Sequence, residues 1–166
     1  MLNVQEVMTK VVVSVQATDC MDEALDVLVQ ERVSALPVID HRGHCVGVLS
    51  ITRILDLARD YISPDSDLGR FTTIHHSTLI EELGRPQFGA KEVRQMMLSP
   101  PLTVLTTTSL EEAAQIMTQH HVHRLFVVDR KNKLLGVVST MDVLRGWLAS
   151  KICPPSPAHS KSQTAV

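Results

Sequence analysis

The chain contains one pattern twice, at a constant offset of 89 residues, and this repeat restricts the fold more than any other feature. Residues 4–55 align with residues 93–144 without a gap. Identical residues occupy matched positions along the alignment, among them Met8 and Met97, Glu23 and Glu112, Asp40 and Asp129, Gly47 and Gly136, and Ser50 and Ser139. Such a repeat indicates a duplicated supersecondary unit. Because a unit of about 50 residues buries too little surface to be stable alone, we predict two similar halves that pack on each other.

Within each copy the hydrophobic period changes twice, which predicts the order β-α-β-β-α. The first helix of each copy is expected to begin after Asp19 or Thr108, because each has an acidic residue three positions later. The expected strands and closing helices are Val11–Val15, Ala35–Ile39, His44–Leu49 and Ile51–Tyr61 in the first copy, and Arg124–Val128, Leu134–Val138 and Thr140–Ser150 in the second. The predicted fold class is therefore α/β (α+β), with two domains packed sheet to sheet about a pseudo-two-fold axis.

We expect the domains to span residues 4–61 and 93–150. The spacer between them, residues 62–92, is long for a plain loop, and its apolar stretch 77–83 is expected to form one or two helical turns. Residues 151–166 contain three prolines and three serines. With so little apolar surface to bury, we expect this tail to be disordered.

Composition excludes several classes of protein. The chain has 166 residues, of which 44% are hydrophobic and 3% aromatic, and its formal net charge is −2. It therefore lacks the basic patch and the stacking platforms of nucleic-acid binding proteins. Neither a membrane span of about 20 apolar residues nor a signal peptide is recognisable, so a cytoplasmic location is expected. The three cysteines are scattered and odd in number, which predicts reduced thiols, with Cys45 in the core.

The segment from Gly136 to Asp142 carries the clearest chemical signal. Ser139 is expected where a strand ends and a helix begins, and a helix N-terminus favours a phosphate group. Asp142, one turn later, has the carboxylate that accepts hydrogen bonds from a ribose diol. The same pattern also describes an ordinary helix start, with a serine N-cap and an acidic residue at the third helical position. His123 and Arg124 begin the preceding strand and favour the binding function, because a guanidinium chelates phosphate oxygens.

Both copies resemble the cystathionine-β-synthase (CBS) domain, and the pair resembles a Bateman module. The resemblance rests on Ser34 to Asp40 and Gly47 to Ser50 in the first copy, and on His123 to Asp129 and Gly136 to Asp142 in the second. It implies a sensory module that binds AMP, ADP, ATP or S-adenosylmethionine in clefts between the copies. The resemblance implies neither catalysis nor a cofactor. It also implies that the module pairs into a homodimer through its helices.

The resemblance also implies roles for individual residues of the second copy. Asp142 would hold the ribose and Ser139 the phosphate, while His123 and Arg124 would face the phosphates. The adenine would be walled by Val122, Val137 and Val138.

The first copy departs from this pattern, because Arg53 stands where the second copy has Asp142. A guanidinium cannot accept a hydrogen bond from a diol. We therefore expect a weaker second site, either empty or occupied by another anion, formed by Ser50, Arg53, Ser34, Val33 and Val48.

The sequence also bears on a metal site, an enzyme and an interaction scaffold. The histidines, including His75-His76 and the group at 120, 121 and 123, have no cysteine or carboxylate at a standard ligand spacing, so no metal site is expected. No Gly-x-Ser-x-Gly motif or nucleophile with an oriented base is recognisable, which argues against an enzyme. The alternative to a ligand sensor that acts on a separate effector protein is an interaction scaffold with vestigial clefts.

Overall fold

The computed structural model of the chain describes residues 2–58 and 86–152, and the fold is given for these residues. The helices are α1 Val4–Val7, α2 Met21–Gln30, α3 Ile51–Ala58, α4 Pro86–Gly89, α5 Val93–Met96, α6 Leu110–Gln119 and α7 Thr140–Ile152. The strands are β1 Val15–Gln16, β2 Ala35–Ile39, β3 Cys45–Ser50, β4 Thr103–Leu105, β5 Arg124–Val128 and β6 Leu134–Ser139. The α+β class and the tandem arrangement predicted from the repeat are confirmed.

The two halves contain equivalent three-stranded sheets. In each sheet a short strand pairs in parallel with the first strand of an antiparallel hairpin, in the orders β1-β2-β3 and β4-β5-β6. Leu36 is paired with Leu49 in the first sheet, and Leu125 with Val138 in the second. All four side chains are at most 1% exposed, so each sheet turns one face into its own core.

The hairpin turns repeat the same backbone geometry. Gly43 and Asn132, at matched positions, have φ angles of 83° and 64°. In the first turn, Asp40 Oδ1 accepts hydrogen bonds from the backbone N–H groups of Arg42 and His44, at 2.8 and 2.9 Å. Asp129 accepts the equivalent pair in the second turn. These bonds hold the pKa of Asp40 at about 2, below its usual value, because they stabilise the charged carboxylate.

The turns also join the halves to each other. The N–H of Cys45 donates to the carbonyl of Asn132 at 2.9 Å, and the N–H of Leu134 donates to the carbonyl of Gly43 at 3.0 Å. Next to them, Cys45 packs with Phe126 and Val128 in a small core formed by both sheets. The sheets therefore meet about a pseudo-two-fold axis, and the expected buried position of Cys45 is confirmed.

Each half receives the segment that precedes the other half. Val4 is fully buried in the core of the second half, and Val93 is fully buried in the core of the first. Thr9 exchanges two backbone hydrogen bonds with Val137, at 2.9 and 3.0 Å. Leu98 exchanges the same pair with Val48, at 2.9 and 3.0 Å. The packing units therefore cross the sequence repeats, and the predicted domain boundaries remain a prediction.

Glycine permits this exchange. A Cβ atom on Gly136 would lie 2.8 Å from both Met8 Sδ and the Thr9 carbonyl oxygen, and one on Gly47 would overlap Met97 Sδ. At each glycine, the segment from the other half lies directly on the strand: Met8-Thr9 on Gly136 and Met97-Leu98 on Gly47. Any side chain on these glycines would push that segment off the strand.

Several predicted boundaries were wrong. The first strand covers only Val15–Gln16, because residues 11–14 pair with no strand and Val11 is 88% exposed. The helices α2 and α6 begin one residue later than expected. Their N-caps are Cys20 and Ser109, since the Asp19 carboxylate accepts the N–H of Gln16 instead.

The predicted end of the closing helix can be compared with the structure in the second copy only. α7 continues to Ile152, so the first two residues of the expected tail are helical. α3 is described to Ala58. Residues 59–85, including the apolar stretch 77–83, and residues 153–166 lie outside the described part of the chain.

Candidate functional site

A hollow of about 410 Å³ lies between the two halves and contains the predicted serine, aspartate and arginine. One wall is formed by residues 9–13, which follow α1. The others are the end of α2 with strand β2, and the strands β5 and β6 with the first turn of α7. Its lining residues are Thr9, Val11, Val12, Val13, Glu31, Val33, Ala35, Leu36, Pro37, Arg124, Phe126, Val137, Ser139 and Asp142. We call this hollow the Asp142 cleft.

Strand alternation places the contributions of the second half. Arg124 is paired with Ser139, and Phe126 with Val137, in the antiparallel ladder of β5 and β6. Residues two apart on a strand, and partners directly opposite, share one face of the sheet. All four side chains therefore project from the same face into the cleft.

Ser139 and Asp142 form a closed hydrogen-bonded unit at the N-terminus of α7. Asp142 Oδ2 accepts the Ser139 N–H at 2.9 Å and the Ser139 hydroxyl at 2.6 Å. The Ser139 Oγ in turn accepts the Asp142 N–H at 3.2 Å. This is the helix-capping arrangement that the sequence also allowed. Within residues 2–58 and 86–152, Asp142 Oδ1 forms no hydrogen bond, so this oxygen has its acceptor capacity free.

The hydroxyl of Ser139 has one proton, and that proton is used on Asp142. Ser139 therefore orients the carboxylate in this structure. The phosphate role of Ser139 stays a prediction.

The remaining walls are apolar with few charges. Val11 and Val13 are 88% and 37% exposed, an unusual state for valine, and the nearly buried Pro37 and Phe126 also line the cleft. The charged lining residues are Glu31, Asp142 and Arg124. The cleft thus offers an apolar surface for a flat ring, carboxylate acceptors for hydroxyl groups, and a single guanidinium.

Three residues predicted for this site do not line it. Val138 is fully buried in the second core, because it follows Val137 on the strand and its side chain points to the opposite face. Val122 packs against the same core. His123 is exposed, and its carbonyl accepts the N–H of Thr140 at 3.1 Å.

The predicted weaker site is only partly assembled. Val33 and Ser34 line a second hollow of about 380 Å³, together with Leu28, Val29, Arg32, Ile51 and Arg124. We call it the Arg32 hollow.

Ser50, Arg53 and Val48 line neither hollow. The Ser50 hydroxyl oxygen accepts the N–H of Arg53 at 3.2 Å, and the Arg53 Nε is buried without a hydrogen-bond partner among the described residues. Val48 is paired through its backbone with Leu98.

The sequence reasoning missed the first-half wall of the Asp142 cleft. The sequence pattern predicts a strand for Val11–Val13, and it gives no indication of a binding role for Glu31, Ala35 or Pro37. The available signal was the pseudo-two-fold axis, which brings the beginning of β2 beside the beginning of β5.

The other candidates from the sequence are the histidines and the cysteines. Among the described residues, no group of three or more histidine, cysteine or acidic side chains is arranged to hold a metal ion. Cys20 and Cys45 have free thiols, and burial raises the pKa of Cys45 to about 11. His75-His76 and Cys153 lie outside the described residues. In the described part, none of the helices combines the length and apolar character that crossing a membrane requires.

With this fold and cleft established, comparison with known proteins identifies the family. The CBS domain model matches residues 4–60 and 91–148, and the chain therefore belongs to the CBS domain family. The chain is 32% identical over 141 residues to the chloroplastic CBS domain-containing protein CBSX2 of Arabidopsis thaliana, covering 82% of this chain and 59% of that protein. It is 33% identical over 129 residues to the human 5′-AMP-activated protein kinase subunit gamma-3, covering 76% of this chain and 22% of that subunit.

Solved structures agree with the fold. The crystal structure of CBSX2 in complex with AMP is 31% identical, with a TM-score of 0.69, and the match covers 91% of this chain and 99% of that one. The CBS domain pair of protein MJ0100, solved with 5′-methylthioadenosine and S-adenosyl-L-methionine, is 16% identical, with a TM-score of 0.65 over 88% of this chain and 99% of that one. At that identity the likeness concerns the fold alone.

Proposed function

We propose that the protein is a regulatory module that binds an adenosine-containing ligand in the Asp142 cleft and acts on a separate effector protein. The observation that carries the proposal is the convergence of Asp142 and Arg124 with the apolar walls in one hollow of about 410 Å³, a volume within the range of ligand pockets. The CBSX2 structure in complex with AMP supports an adenine nucleotide as the ligand.

Each part of the cleft suits one part of such a ligand. The adenine ring packs against the exposed valines Val11 and Val13, which removes apolar surface from water. The ribose hydroxyls donate to Asp142, whose Oδ2 is fixed by Ser139 and whose Oδ1 is available. The phosphate lies toward Arg124, because a guanidinium offers paired donors to anionic oxygens.

The signal arises because both halves line the cleft. A ligand that contacts Glu31 and Pro37 on one side and Asp142 on the other favours the angle between the halves that best fits it. The change in population is limited by the difference in ligand affinity between the two arrangements. In this proposal the protein is not an enzyme and uses no cofactor, and it stays in the cytoplasm, although the CBSX2 relative is chloroplastic.

Thermal unfolding with AMP, ADP, ATP, S-adenosylmethionine and NAD tests the proposal directly. A ligand at 100 times its dissociation constant adds about 2.7 kcal/mol to the stability, which is readily detected as a rise in Tm. GMP and inorganic phosphate are the controls for the base and the charge. If no adenosine compound raises Tm, and titration calorimetry detects no heat, the ligand-sensor function is wrong.

We also propose that the module pairs with a second copy through α7. Met141, Leu144, Trp147 and Leu148 are 45–54% exposed and lie on one side of this helix. Such a stripe can pack against its own copy about a two-fold axis. Light scattering should give twice the chain mass, and Leu144→Asp should give the monomer, whereas Leu105→Asp, on another exposed leucine, should not. A monomeric wild type would leave this surface to an effector and favour the scaffold alternative.

A further inference from the structure

The Asp142 cleft and the Arg32 hollow are neighbours. Val33 and Arg124 line both, so the two hollows meet at these side chains. The walls of the Arg32 hollow come from the end of α2, the residues between α2 and β2, the first residue of α3 and the first residue of β5.

The two hollows differ in charge. The Asp142 cleft has two acidic residues, Glu31 and Asp142, and shares its one cation, Arg124, with the Arg32 hollow. The Arg32 hollow has two guanidiniums, Arg32 and Arg124, the hydroxyl of Ser34 and no acidic residue. A chain of phosphate groups is therefore repelled by the acidic residues of the Asp142 cleft and attracted by the two guanidiniums of the Arg32 hollow.

The two guanidiniums are not neutralised by the protein. Within residues 2–58 and 86–152, neither Arg32 nor Arg124 forms an ion pair with an acidic side chain. Arg32 is also held at a defined place, because its backbone has a φ angle of 53° and its N–H donates to the carbonyl of Val29 at 3.1 Å. The next N–H, that of Val33, donates to Leu28 at 3.1 Å and ends α2.

We propose that the Arg32 hollow is a subsite for the distal phosphates of a nucleoside di- or triphosphate whose adenosine occupies the Asp142 cleft. The inference rests on the proposed function and narrows the ligand to one with a phosphate chain. Arg124 binds the first phosphate at the boundary, and Arg32 with Ser34 binds those beyond it. The repeat does not supply this subsite twice, because the position matching Arg32 is His121 and the position matching Ser34 is His123.

Titration calorimetry of the full chain with AMP, ADP and ATP, without added magnesium and at fixed ionic strength, tests the subsite. ATP is expected to bind at least about tenfold more tightly than AMP, the gain from one charge-assisted contact. Arg32→Ala should reduce this ratio to near one and leave AMP affinity within about twofold, while Arg32→Lys retains part of it. Arg42→Ala, an exposed arginine that lines neither hollow, is the matched control and should change nothing.

The outcomes separate the two proposals. Equal binding of AMP and ATP by the wild type, or equal losses for both in Arg32→Ala, overturns the subsite and leaves the proposed function standing. If no nucleotide binds, the proposed function fails, and inorganic triphosphate alone is then titrated. Binding of triphosphate that Arg32→Ala abolishes would still support an anion site here, and its absence would overturn it.

Discussion

The two halves of this protein have nearly the same backbone and different binding surfaces. Arg32 and His121, at matched positions after α2 and α6, both have φ angles of 53°. At the site, by contrast, Asp142 is hydrogen bonded to Ser139 through its carboxylate, whereas Arg53 meets Ser50 only through its backbone N–H. The repeat thus preserves what the fold needs, while a few substitutions at the strand ends give each half a different chemistry.

The largest effect is expected from truncating matched core leucines. Leu125→Ala and Leu36→Ala should each lower the free energy of unfolding by about 2–5 kcal/mol, because both side chains are at most 1% exposed. Since each half contains a segment of the other, both variants should unfold in one transition in urea. Leu105→Ala, at a 42% exposed position, is the control. Two separate transitions would show that the halves are independent.

The next effect concerns the site that distinguishes the halves. Asp142→Ala should weaken nucleotide binding by about 1.5–3 kcal/mol, the range for a hydrogen bond to a charged group. Arg53→Ala should leave that affinity unchanged in titration calorimetry. Undiminished binding by Asp142→Ala would remove this residue from the site.

Alanine substitution of Gly136 and Gly47, which lie beneath the segments from the other half, should lower the stability by similar amounts. Gly136→Ala and Gly47→Ala are each expected to cost about 1–3 kcal/mol of stability, measured by urea unfolding, because the added methyl group displaces the crossing chain. Met97→Ala should recover part of the loss in Gly47→Ala, which it contacts, and none in Gly136→Ala. A loss below 0.5 kcal/mol, about the level of an ordinary surface substitution, would mean that the segments are not docked as described.

A smaller difference is expected at the helix starts. Ser109 caps α6 by accepting the N–H of Glu112 at 3.1 Å, so Ser109→Ala should cost about 1 kcal/mol. Its counterpart Cys20 has a thiol, which is a weak acceptor. Cys20→Ser should therefore stabilise the protein by about 0.5 kcal/mol in the same urea assay. Destabilisation by Cys20→Ser would show that the two caps are not equivalent.

The smallest effect is a pH dependence of the hairpin turns. The folded pKa of Asp40 is about 2, mainly because the His44 N–H donates to it, and that of Asp129 is also lowered, mainly by the Lys133 N–H. Since the unfolded pKa is about 3.9, each turn adds stability above pH 4 that is lost as the pH falls toward 2. Asp40→Asn should therefore differ from wild type most at pH 7 and least near pH 2. A constant difference across urea unfolding at pH 7, 4 and 2.5 would contradict this.

Much of the architecture was readable from the sequence because it depends on local pattern. The strands Ala35–Ile39 and Arg124–Val128 were predicted at their observed bounds, since apolar runs that end at a turn are strong strand signals. The failures occurred where long-range packing decides. Val11–Val13 has the composition of a strand, yet in the structure it lines the Asp142 cleft.

The sequence by itself determined the duplication, the order of elements and the difference between Asp142 and Arg53, because each depends on residue identity and local period. Only the tertiary structure decided that residues 2–9 and 91–98 would exchange halves and that Val138 would face the core. It also decided that Arg32 would stand beside the Asp142 cleft. These features depend on contacts between residues far apart in the chain, and a repeated pattern does not state which copy each segment packs against.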